Sequence, residues 1–112
     1  MNVASILKSK GRTVATARPE ATLHEVAGKL ASKKIGAIVV VGPNGRVDGI
    51  ISERDIIRAL SQAGAECLSH PVTEHMTKAV VSCSEADTID QVMATMTAGR
   101  FRHVPVVEDG AL

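Results

Sequence analysis

Ser52 and Asp55 stand three residues apart in the string GIISERD, Gly49 to Asp55. An apolar run ends at the serine and a helical pattern begins at once, so a strand hands directly to a helix whose first amides have no partner inside it. Such an N-terminus can accept an anion. The same Ser-x-x-Asp spacing also writes a capping box, in which hydroxyl and carboxylate satisfy backbone amides with no ligand at all. Arg54 and Arg58 add positive charge beside it. A second group, Cys67, His70, His75 and Cys83, falls within 17 residues, and each residue type can ligate zinc. No Cys-x-x-Cys pair or His-x-x-x-His face preorganises the four, and Pro71 breaks the segment, so no metal is expected. The chain carries no Gly-x-Ser-x-Gly, Walker loop, Gly-x-Gly-x-x-Gly or carboxylate pair on an identifiable scaffold, which argues against an enzyme.

Composition narrows the remaining classes. With 112 residues, 45% of them hydrophobic and only one aromatic, the core has to be aliphatic. One module of this length buries about 60 to 70 per cent of its unfolded surface. Thirteen basic and twelve acidic residues give a net charge of +1 without a basic block, and bases have almost no aromatic side chain to stack on, so nucleic acid is not the expected partner. The longest apolar run, Ala37 to Val41, is too short for a membrane span or a signal-peptide core. A cytoplasmic protein with reduced Cys67 and Cys83 is expected.

The elements that position Ser52 and Asp55 belong to an internal repeat. Sliding the sequence by 66 residues superposes Val14 on Val80, Thr22 on Thr88, Val26 on Val92, Val40 on Val106 and Val41 on Val107. Thr22-x-x-Glu25 and Thr88-x-x-Gln91 are both capping boxes, so two helices start at equivalent places. Leu23, Val26, Ala27 and Leu30 give the first helix an apolar stripe, and Ile89, Val92, Met93 and Met96 repeat its offsets. The first helix closes at Lys33 and Lys34 with Gly36 beyond, and the second at Gly99 and Arg100. A buried strand follows in each copy, AIVVV in one and HVPVV in the other. Gly42 to Gly45 turn the first into VDGIIS, and Glu108 to Gly110 begin the turn of the second. Copy one adds a helix over Glu53 to Ala63 with Ile56, Ile57 and Leu60 as its apolar face and Gly64 as its C-cap. Leu112 aligns with Arg46, so copy two needs roughly 15 to 20 further residues to match copy one. Without them the strand at Val104 to Val107 presents an open edge.

The repeated helix-strand-strand-helix order, GIISERDI, VTEHMT and FRHVPVVEDG together resemble a CBS domain pair, the tandem regulatory module first named for cystathionine beta-synthase. The match covers nearly the whole chain, with a first repeat over 1–66 and an incomplete second repeat over 67–112. The resemblance implies an α/β (α+β) fold in which each repeat is a small sheet with flanking helices, the two related by a pseudo-twofold axis, and a homodimer. It implies a sensor of adenosine-containing ligands, AMP first among them, with ATP, NAD(H) or S-adenosylmethionine as others. The ligand would lie in the cleft between the repeats and change repeat or dimer geometry. On the family motif Gly-hydrophobic-x-Ser/Thr-x-x-Asp, Ser52 falls where a hydroxyl meets phosphate and Asp55 where a carboxylate accepts both ribose hydroxyls.

By the same resemblance Ile51 and Arg54 flank that site. Val80 and Val81, on the strand before the second capped helix, would bracket adenine, and Arg102 or His103 would meet phosphate. A pseudosymmetric second pocket would use Thr13, Val14, Gly36 and Ala37, with a serine and aspartate of copy two that this sequence does not contain; one competent site per chain is the expectation. An effector protein in trans would carry the output. The alternative is a ligand-free homodimerisation scaffold in which GIISERD is a cap alone.

Overall fold

A computed structural model describes residues 1–11, 14–78, 80–99, 102–108 and 112. In chain order the elements are α1 (Val3–Lys10), β1 (Thr16–Ala17), α2 (Leu23–Lys33), β2 (Ala37–Val41), β3 (Val47–Ser52), α3 (Glu53–Ala63), two 3₁₀ segments (Gly64–Ser69 and Val72–Glu74) and α4 (Ile89–Gly99). They form two compact units, Ala15–Val80 and Met1–Val14 with Val81–Leu112.

In the unit Ala15–Val80, β1, β2 and β3 make one sheet in that order. β1 runs parallel to β2, with Thr16 opposite Val39 and Ala17 opposite Val40, and β3 returns antiparallel, with Ala37 opposite Ser52 and Ile38 opposite Ile51. The AIVVV run is buried at its three central residues because helices cover it. Leu23, Val26 and Leu30 of α2 meet Ile38, Val40 and Ile51 of the sheet, and Ile56, Ala59, Cys67 and Val72 close the core. Thr22 starts α2 by accepting the Glu25 N–H at 3.2 Å. Among the described residues no Glu25 bond returns to the Thr22 amide, so only half of the expected box forms there. At the other end the left-handed residue is Lys34, φ 54°, not Gly36. Its N–H and that of Ile35 close the last turn on Leu30 and Ala31 carbonyls, and its charge suits the negative end of the helix dipole.

The expected apolar face of α3 needs correction. Ile56 is buried with Ala59, while Ile57 and Leu60 are 66% and 38% exposed. Because Ser52 is at once the last residue of β3 and the N-cap of α3, the strand fixes the phase of the helix. That phase turns Asp55, Ile56 and Ala59 inward.

The unit Met1–Val14 with Val81–Leu112 repeats part of this plan. Gln91 N–H donates to Thr88 Oγ1 at 3.1 Å and Thr88 N–H to Gln91 Oε1 at 3.0 Å, the complete box. Cys83 forms a parallel bridge with Val106, the pairing of Ala17 with Val40 moved by 66. Two expectations fail here. No described residue of α4 is fully buried: of the stripe expected to face a core, with Met93 and Met96 filling it or a dimer face, Ile89, Val92 and Met96 are half-buried and Met93 is 56% exposed. The segment His103–Val107 also forms a single bridge instead of a regular strand. In the first repeat Val39 N–H bonds to Ala15 O, and the equivalent residue here is Pro105, which has no N–H to give. Without that bond, and with no described hairpin partner, the ladder stops. Arg100, Asp109 and Gly110, placed at the end of the second helix and in the second turn, lie outside the described residues.

The starts of α2 and α4 are each held by a lead-in segment from elsewhere in the chain. Leu23 N–H donates to His70 O (3.1 Å) and Val72 N–H to Ala21 O (2.7 Å) in one unit, while Ile89 N–H donates to Met1 O (3.2 Å) and Val3 N–H to Asp87 O (2.9 Å) in the other. The 66-residue slide maps Leu23 on Ile89 and Ala21 on Asp87, so Met1 to Val3 and His70 to Val72 do the same job. Val3 and Val72 are both buried, at 5% and 0% exposure. This exchange of lead-in segments is why the compact units interleave with the sequence repeats.

Candidate functional site

The junction of β3 and α3 holds the residues singled out for binding. Ser52 is extended, φ −115°, ψ 166°. Its hydroxyl accepts the Asp55 N–H at 3.3 Å and donates to Asp55 Oδ2 at 3.0 Å, and its own N–H donates to that oxygen at 2.9 Å. Asp55 is 9% exposed. Burial of a carboxylate is costly unless it is bonded, and here the cap supplies two donors and Arg58 Nη1 a third at 3.2 Å to Oδ1. The capping box therefore exists in full. Arg58 lies mostly in solvent, so its hold on Oδ1 is weak and a competing donor can displace it.

The helix start is narrower as an anion site than the sequence suggests. Glu53 N–H already donates to Gly36 O at 3.0 Å, and Asp55 N–H is held by Ser52. Among the described residues the Arg54 N–H has no protein acceptor, and the Arg54 side chain is exposed. Ile51, next to Ser52 in β3, is fully buried, so it supports the site from the core.

Gly49, first residue of the motif, has a role that spacing does not reveal. Thr77 and Ile50 exchange both backbone bonds, at 2.9 and 3.0 Å, which lays the Met76–Thr77 segment along β3. A Cβ on Gly49 would sit 2.6 Å from Met76 Sδ and 2.8 Å from Thr77 O. The available signal was a glycine inside a strand pattern, which marks a bulge or a close backbone approach.

The other predicted residues divide between the units. Val80 lies with Ser52 and Asp55 in the unit Ala15–Val80, whereas Val81, Arg102 and His103 belong to the other unit. Val80 and Val81 are half-buried and outside any strand, and Val80 N–H donates to Lys78 O at 2.9 Å. Arg102 and His103 are exposed. Of the second-pocket residues, Thr13 lies outside the described residues and Val14 is exposed. The Gly36 carbonyl is committed to Glu53, and Ala37 pairs with Ser52 at the start of β2. A cavity of about 240 Å³ lies elsewhere, within the second unit, lined by Ser82, Cys83, Asp87, Gln91, Val92, Thr95 and Val104. Burial pushes the Cys83 thiol above its ordinary range and the Asp87 carboxylate adds to the shift, which suits neither nucleophile nor metal ligand. Cys67 and Cys83 are both free thiols.

With this geometry in place, the CBS domain family model matches residues 5–62 and 72–112, one match over each repeat. The chain belongs to the CBS domain family. Solved CBS domain structures share its fold. A CBS-domain containing protein from Agrobacterium tumefaciens is 47% identical with a TM-score of 0.95, over 100% of this chain and 89% of that one. A CBS domain protein from Pyrobaculum aerophilum, complexed with AMP, is 27% identical with a TM-score of 0.88, over 100% and 83%. The CBS domain pair of protein MJ0100, in complex with 5′-methylthioadenosine and S-adenosyl-L-methionine, is 29% identical with a TM-score of 0.86, over 98% and 82%. The tandem CBS repeat and the mixed α+β architecture expected from the sequence are thus present. The chain spans about half the length of the curated relatives it matches. No helix among the described residues is long and apolar enough to cross a membrane.

Proposed function

We propose that this CBS domain pair is a cytoplasmic regulatory module that binds an adenosine-containing ligand at the β3–α3 junction. The observation that carries the proposal is the buried Asp55 carboxylate, bonded by Ser52 and only loosely by Arg58, at a helix start where the Arg54 N–H has no protein acceptor among the described residues. A cis-diol needs an acceptor of that kind, and charge-assisted bonds to it are the strong ones. Two relatives with this fold hold AMP or adenosyl ligands. In this reading Asp55 takes the ribose, the Ser52 hydroxyl and Arg54 amide meet phosphate, and Val80 lies against the base. Val81, Arg102 and His103 enter as further ligand contacts on the family resemblance alone, and the repeat boundaries at 1–66 and 67–112 stand on the same ground. The role is binding, not catalysis, with AMP ahead of ATP, NAD(H) and S-adenosylmethionine, no resident cofactor, and an effector protein in trans.

Calorimetric titration with AMP, ATP, NADH and S-adenosylmethionine tests the proposal, heat being the signal because the chain has no Trp or Tyr. Saturable binding to the parent that is lost at Asp55→Asn supports it, and silence with all four ligands sinks it. A second reading, a ligand-free homodimerisation scaffold, is favoured by the exposed Ile57 and Leu60 on α3 and by a cap that is complete without a ligand. It expects a dimer in sedimentation that Ile57→Lys dissociates while nucleotide has no effect.

A further inference from the structure

His70, Glu74 and His75 meet in the segment after α3, although only the two histidines stood out in the sequence. His70 Nδ1 lies 3.1 Å from His75 Nε2 and 3.3 Å from Glu74 Oε2. All three ligand-type atoms are within 4.8 Å of one another. A tetrahedral zinc ion with bonds of about 2.0–2.1 Å separates its ligands by about 3.3 Å, which the two distances from His70 Nδ1 match. The imidazoles are nearly parallel, 7° apart with centroids at 5.3 Å. The two nitrogens, 3.1 Å apart, are at hydrogen-bond distance, with the proton on one ring or the other according to the tautomer. A metal ion would replace that proton, since neutral imidazole nitrogens are its ligands.

The backbone that carries these groups is fixed on both sides. His70 O accepts the Leu23 N–H, Val72 N–H bonds to Ala21 O, and His75 and Met76 N–H both close on Val72 O. Cys67 and Val72 anchor the segment with fully buried side chains. The side chains themselves stay within reach of solvent, with His70 at 33% and Glu74 at 55% exposure, so an ion has an entry path. Two imidazoles with one carboxylate suit zinc and its first-row neighbours better than magnesium or calcium, which prefer oxygen.

We infer that His70, Glu74 and His75 form a binding site for a divalent transition-metal ion of the zinc class, independent of the nucleotide reading. The site differs from the Cys67, His70, His75 and Cys83 set weighed from the sequence. Cys67 is locked in the core, Cys83 belongs to the other compact unit, and Glu74 takes the third position.

The test titrates the full 112-residue protein with zinc chloride by calorimetry and with cobalt(II) by visible absorption. Expected is one ion per chain. Removing even an outer-shell partner of a metal site costs 10- to 100-fold in affinity, so His70→Gln and His75→Gln should each weaken binding at least about tenfold. Glu74→Gln should weaken it too, and His24→Gln should leave it unchanged. Circular dichroism shows that the variants are folded. On the unsubstituted protein, zinc should shift the ring-nitrogen resonances of His70 and His75 and not those of His24 or His103, a readout that needs no variant. No saturable binding, affinity kept within about twofold in both histidine variants, or zinc-induced shifts at His24 or His103 instead would each overturn the site.

Discussion

Asp55→Ala and Asp55→Asn should separate the structural work of the capping box from ligand binding. In the alanine variant the Ser52 amide and hydroxyl both lose Asp55 Oδ2. Leaving a half-buried amide unpaired costs about 1–3 kcal/mol, and the lost negative charge in the first turn adds about 0.3–1 kcal/mol. The Arg58 ion pair contributes little, because that side chain is mostly in solvent. The expected total is about 1–4 kcal/mol, which lowers the urea midpoint by roughly 0.5–2 M at a slope of about 2 kcal/mol/M. Asparagine keeps an oxygen for Ser52 and should cost no more than about 1 kcal/mol. It nevertheless removes the charge that a ribose diol would bond, so nucleotide affinity should drop about tenfold or more. Helix ellipticity against urea measures the first quantity and calorimetry the second. An alanine variant within about 0.5 kcal/mol of the parent would refute the account of the cap. An asparagine variant that keeps nucleotide affinity within about twofold would refute the diol contact.

Three further outcomes are expected. Gly49→Ala should destabilise by about 1–3 kcal/mol, because the new Cβ meets Met76 Sδ and the Thr77 carbonyl at 2.6 and 2.8 Å; an unchanged urea midpoint would show that the Met76–Thr77 segment does not lie against β3. Lys34→Gly should stabilise by about 1 kcal/mol, since a left-handed residue with a Cβ is strained and glycine is not, and a lower midpoint would contradict this. Alkylation of Cys83 by iodoacetamide should be slower at pH 8 than that of an unhindered thiol and should rise toward higher pH. Its proton is held more tightly in the folded chain by burial and by Asp87. The unfolded chain therefore releases that proton first, and stability from this group is present below the ordinary thiol range and falls as pH rises through it. Asp87→Asn should speed the alkylation, and no change would remove Asp87 as a cause.

Much of the framework was legible from neighbours in the chain. α2 begins at Thr22 and α3 at Ser52 because caps act over three residues. Glu53–Ala63 forms one helix and Ala37–Val41 one buried strand because period and run length are local signals. The 66-residue slide reappears as the matched pairings of Ala17 with Val40 and Cys83 with Val106. What failed depends on partners far along the chain. Ile57 looked buried by spacing, yet the strand that ends at Ser52 sets the helix phase and leaves it out. HVPVV looked like AIVVV, yet Pro105 lacks the amide that Val39 uses.

The sequence by itself determined the family, the repeat and the Ser52–Asp55 cap, because each is written in residue types at short, fixed spacings. Only the tertiary structure decided that lead-in segments Met1 to Val3 and His70 to Val72 serve helix starts far away in sequence, that Gly49 must be bare where Met76 and Thr77 cross it, and that His70, Glu74 and His75 converge. Those arrangements rest on backbone bonds closed across long loops. Their free energy depends on the whole packed unit and not on any one segment.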